Sequence, residues 1–128
     1  MLAFVIVLDQ FSRNLYRGDA RAFAQDAHAR ECAREALARS DDLRLLPVER
    51  QFLYMPFEHS EDVFDQDLAV DLMRSLEAFE ETRGLTDWAE RHRVIVRRFG
   101  RFPHRNAVLG RASTAEETEF LKQPGSGF

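Results

Sequence analysis

Cysteine occurs once in this 128-residue chain, at Cys32, and lysine once, at Lys122. A lone cysteine excludes an intramolecular disulfide and gives no sign of an oxidising compartment, so the expected location is cytoplasmic. The one long apolar run, residues 2–8 (LAFVIVL), ends at Asp9, far short of the roughly 20 residues that cross a bilayer. It has no basic residue before Arg13, as a secretory leader would. Glycine-rich phosphate loops are absent, which excludes a nucleotide enzyme of standard design, and no G-x-S-x-G elbow presents a hydrolase serine. His28 and Cys32 stand four apart without a second ligand pair, so neither a metal nor a cofactor is expected. A net charge of -4 argues against a nucleic-acid or anionic-membrane partner.

What is present is 45% hydrophobic and 31% charged, the balance of a folding globular chain. The length suits one all-helical domain, residues 1–123, followed by a flexible tail, PGSGF, at 124–128. An alanine-rich segment behind Asp19 predicts one long helix over 19–40, with Asp19 as its N-cap. Pro47 opens a short helix that Pro56 is expected to end. Ser60 is the expected cap of a third helix, whose Phe64, Leu68, Leu72, Leu76 and Phe79 form an apolar stripe. A fourth helix starts at Thr86 or Asp87 and stops at Gly100. Ser113 with Glu116, or Thr114 with Glu117, offers a capping box for a last one. No segment alternates with period two, so the expected fold class is all-α, built of antiparallel helix hairpins.

Charge is segregated along the chain. Residues 58–90 hold eleven carboxylates against two arginines, and residues 91–115 hold seven arginines and no acid. Two stretches echo one another, QFSRNLYRG at 10–18 and RFPHRNAVLGR at 101–111, each with an Arg-Asn pair after an aromatic residue. Such a pair supplies a forked donor beside an amide, suited to a carboxylate or phosphate, and equally to bonding a turn's backbone. A third polar stretch, FEHSED at 57–62, places His59 beside Ser60 and Glu61, where an imidazole has a carboxylate for proton transfer.

In order, LDQFSRNLYRGDARAFAQDA, ERQFLYMPFEHSE and RFGRFPHRNAVLGRASTAEETEFL make the chain resemble the bacterial family called domain of unknown function 924. The resemblance runs from Leu8 to Leu121 and implies a right-handed, tetratricopeptide-like helical array with no established activity. The recurring polar positions it carries over are Asp9, Gln10, Arg13 and Asn14, then His59 and Glu61, then Arg101, His104, Arg105 and Asn106. Ser12 stands where that pattern usually has proline, which loosens the first turn. Members usually carry helices before the LDQF motif, so the resemblance implies a chain lacking them. The uncapped apolar start is consistent with that, and an alternative is that a partner or a second copy covers residues 1–8.

Three functional readings follow. The first is a binding module holding an acidic peptide terminus or a small anion on Arg13, Arg101 and Arg105. The second is a small-molecule enzyme with His59 or His104 as acid or base and an anionic substrate, whose two-histidine form needs both histidines on one face. In the third, the polar motifs hold the fold together, which needs Arg105 and Asp9 buried and hydrogen-bonded.

Overall fold

The computed structural model describes residues 1–128 and consists of helices and turns with no strand. The apolar start forms α1, Leu2–Ile6, and runs through a π-helical turn, Val7–Phe11, into α2, Ser12–Leu15. Val5 and Leu8 point into the core, whereas Phe4, Val7, Phe11 and Leu15 lie exposed. A π turn widens the helix by one residue and is frequent at functional sites; this one carries Asp9 and Gln10.

The expected single helix over 19–40 is broken. Asp19 accepts the Arg21 N–H and caps only a 3-10 turn, Ala20–Phe23, before α3 runs over Asp26–Ala38. The interruption places Asp26 in the first turn of α3, where its buried carboxylate meets Arg13. Ala29, Ala33 and Ala36 follow on one fully buried face of α3, and their small side chains let the helix lie close to its neighbours.

Helix α4, Pro47–Glu58, opens at Pro47 and passes Pro56 instead of stopping there. A proline removes one amide and crowds the preceding turn, yet two residues from the end the helix closes anyway, with the His59 N–H donating to the Met55 carbonyl at 3.0 Å. This extra half turn carries Phe57 and the carboxyl of Glu58 into the interior, each at most 1% exposed.

Helix α5, Val63–Arg74, is capped by Asp62, whose carboxylate accepts the N–H groups of Phe64 and Asp65, and not by Ser60. Ser60 is buried and donates to Asp65 at 2.7 Å. The expected stripe is shifted as well: Phe64 is 83% exposed, and the buried face is Gln66, Ala69, Val70 and Met73, continued by Leu76. Leu68 and Leu72 flank it, partly buried. Polar residues are drawn inside because they find partners there, Asp65 with Arg34 and Arg30, and Gln66 with the carbonyls of Glu58 and Ser60, both at 2.7 Å.

Helix α6, Leu85–Phe99, ends as expected at Gly100, whose φ of 73° is the left-handed turn that glycine adopts without strain. A 3-10 turn, Pro103–Arg105, leads to α7, Ala115–Leu121, where Thr114 and Glu117 form the capping box. Helices α3 to α6 each pack on the next and α1 crosses α3 and α4. Their core centres on Leu53, Tyr54, Phe57, Val70, Met73 and Leu76. Full burial of one such side chain stabilises the fold by about 1.5–3 kcal/mol. No helix is long and apolar enough to cross a membrane.

Candidate functional site

The π turn aims Asp9 inward, where it is 1% exposed. Its carboxylate accepts from Arg13 at 2.9 Å and from Gln10 at 2.6 Å, and lies 2.8 Å from the His59 Nδ1. Burial pushes this carboxyl up, but His59 and Arg13 outweigh it and hold Asp9 below the ordinary range. Burial in turn draws His59 down, against the opposing pull of Asp9. These directions favour the ionised form of Asp9 and disfavour the charged form of His59. A carboxylate only accepts, so Nδ1 carries the proton, and Nε2 keeps its lone pair.

Arg13 is committed. Beyond Asp9 it clasps Asp26 with two parallel bonds of 2.9 Å, so two carboxylates share its charge. Arg105 is also buried, but it is matched less completely. Its guanidinium lies between the rings of Phe23 and Phe102, 4.4 and 4.7 Å from their centroids. It donates to the His59 carbonyl at 2.9 Å. Its nearest carboxylate oxygen, on Asp26, is 3.9 Å away, and its Nε is buried without a partner. Burial lowers its pKa to about 10, which still leaves it cationic at neutral pH.

The third motif is fastened to the second by Glu61. Its carboxylate accepts the Phe102 N–H at 2.6 Å and two bonds from Arg111, at 2.9 and 3.0 Å. Asn106 and Arg101 face α7, where both donate to Glu117, and Asn106 accepts from Arg111. These three residues set the loop that presents Pro103–Arg105.

Between the motifs is a cavity of about 440 Å³ lined by Gln10, Arg13, Asn14, His59, His104 and Arg105 among others. Six of the ten sequence candidates thus share one wall system, His59 and His104 included. Asp9 lies buried behind His59, while Glu61, Arg101 and Asn106 do not line this cavity. The wall also includes Arg17, Phe23, His92, Phe102 and Phe128. Arg17 is exposed, bonds Asn14 at 3.3 Å, and pairs with no carboxylate.

Residues 1–125 match the profile of a family described as bacterial protein of unknown function (DUF924). The chain belongs to this family. It is also similar to the solved structure of a protein of unknown function from Agrobacterium tumefaciens, with a TM-score of 0.87 and 46% identity over 94% of this chain. The chain spans 66% of that protein's length. No curated protein matches it.

In this DUF924 chain Arg17 is a lining residue outside the ten sequence candidates, and so is His92. His92 donates Nδ1–H to the Trp88 carbonyl at 2.9 Å, and burial lowers its pKa to about 3. His104 is held neutral likewise, at about 4, and its Nδ1 is buried with no partner. The signal for His92 was positional: it falls on the same face of α6 as Ala89 and Val96, at helical spacing, and all three are buried. Glu58 carried no signal. Burial, helped by the Asp9 charge, lifts its carboxyl to about 8, and its Oε1 has no hydrogen-bond partner.

Proposed function

We propose that the cavity is a binding site for a small organic anion, held through its carboxylate. The observation that carries this reading is the meeting of three motifs, distant along the chain, around one cavity that contains an arginine free of any carboxylate. Arg17 supplies the accessible charge, and Arg105 supplies a buried cation whose ion pairing is incomplete. A lone pair on His59 Nε2 favours a ligand that also carries a hydroxyl or N–H. The volume falls within the usual range for small-molecule sites, about 300–1,000 Å³. The carboxylate end of a peptide shares this chemistry.

Isothermal titration with acetate, lactate, benzoate and inorganic phosphate tests the site. Arg17→Gln is the informative variant because Arg17 is exposed and holds no part of the fold. A charged hydrogen bond contributes about 1.5–3 kcal/mol, so the variant should weaken binding roughly tenfold or more with helical circular dichroism unchanged. Equal affinity in Arg17→Gln sinks the reading.

One observation favours a second reading, in which the site moves a proton. The Asp9–His59 bond fixes the imidazole in one tautomer, as a general base requires. His59→Gln would then abolish turnover of a bound anion while leaving its affinity within a few-fold. Parallel loss of binding and turnover would reduce His59 to a binding group.

A further inference from the structure

The aromatic end of the cavity is occupied by the chain itself. The Phe128 ring stacks on the His92 ring, with centroids 3.7 Å apart and planes 13° from parallel. Trp88, Phe102 and His104 meet it edge-on, at 5.5, 6.2 and 5.9 Å. Four rings thus surround a flat slot. His92 is suited to stacking because it is uncharged and its plane is fixed by the Trp88 carbonyl.

The tail follows a path shaped for it. Gly125 has a φ of +77°, and a Cβ there would stand 3.3 Å from Arg91. A Cβ on Gly127 would stand 3.3 Å from the Cβ of His104. Both glycines let the backbone lie flat against the cavity rim, and Ser126 donates to the Leu121 carbonyl at 3.3 Å. At the slot's edge Arg91 lies over Trp88, 4.7 Å from the ring centroid, and over Phe128 at 6.0 Å. Arg91 is exposed and pairs with no carboxylate. Beside the ring slot, then, is a cation with no anion.

We propose that this end of the cavity is a ring-binding subsite, that the preferred ligand class is an aromatic carboxylate, and that Phe128 is a built-in competitor for the slot. The proposal rests on the anion-binding reading and narrows it. The ligand's ring takes the position of Phe128 against His92, and its carboxylate reaches the arginines at the rim. The ligand must displace the tail before it binds.

The test uses phenylacetate, cyclohexylacetate and acetate on the full chain and on Phe128→Ala, read by calorimetry and by emission of Trp88, the sole tryptophan. If the tail fills the slot about nine-tenths of the time, the binding-competent fraction is about one tenth, and removing the ring tightens phenylacetate binding roughly tenfold. Acetate affinity should not change. Phenylacetate should outbind cyclohexylacetate, because only a flat ring stacks on His92, and only ring-bearing ligands should move the Trp88 emission. Equal phenylacetate affinity in the two proteins, or no preference for the flat ring, overturns the subsite while acetate binding keeps the anion reading intact. Absence of binding by all three acids overturns both. Should Phe128→Ala lose helicity, Phe128→Leu makes the same comparison with the stacking removed and the bulk retained.

Discussion

Glu58 should make this protein less stable as the solution turns from weakly acidic to weakly basic, and the effect should vanish in Glu58→Gln. The side chain is 1% exposed and accepts no hydrogen bond, and burial with the nearby Asp9 charge sets its carboxyl at about 8 against an ordinary 4.5. Between those two pH values the folded chain keeps a proton that the unfolded chain has released. The native state binds more protons there, so stability falls as pH rises. Each pH unit in that window costs about 1.4 kcal/mol, giving roughly 3 kcal/mol by pH 7 and no further loss above about pH 8. Against a typical total of about 5–15 kcal/mol this is a large term. Glutamine has the same outline and no charge in either state. Urea denaturation followed by circular dichroism at pH 5, 6, 7 and 8 gives the difference between the two proteins. That difference should grow by about 3–4 kcal/mol in favour of Glu58→Gln from pH 5 to pH 8. Any offset from replacing an acid O–H by an amide is constant with pH and leaves this growth unchanged. A difference that stays flat across the series refutes the claim that Glu58 is buried as a neutral acid.

His92 acts at the other end of the scale. Its pKa is lowered to about 3 from 6.5, so its contribution is complete above pH 6.5 and is lost as pH falls toward 3. His92→Phe should remove about 2 kcal/mol of destabilisation at pH 5 relative to pH 7, measured in the same denaturation series. Unchanged acid sensitivity in that variant would show that the imidazole is accessible to protons in the folded state. Glu61→Ala should free the loop before α7, because it strips the Phe102 amide and Arg111 of their shared acceptor. A loss of about 2–3 kcal/mol is expected, with faster hydrogen exchange at Phe102, and unaltered exchange there would contradict the tie.

The polar candidates divide according to what the third dimension did with them. Asp9 and Arg105 are buried and bonded, as the structural reading required, while His59 and His104 share a cavity, as the two-histidine form of the enzyme reading required. Both are consistent with one arrangement, because the ion pairs that fasten the motifs together also form the back wall of the cavity. The echo between residues 10–18 and 101–111 did not translate into equal roles. Arg13 is clasped by two acids and Asn14 is exposed, whereas Arg105 lacks a close acid and Asn106 is buried against Glu117.

By itself the sequence determined the all-helical class and several of the helix ends, since capping carboxylates, a left-handed glycine and alanine-rich stretches act over a few residues. Gly100, Pro47 and the Thr114–Glu117 box were legible for that reason. It also marked the polar stretches whose residues meet at one cavity. The tertiary structure decided what local rules cannot reach: that α4 continues past Pro56, that Asp65 and Gln66 turn inward while Phe64 turns out, and that the π turn at Asp9 meets His59, fifty residues away. Burial depends on which surface a helix finds opposite it, and a carboxyl such as Glu58 becomes neutral only once that surface has closed over it.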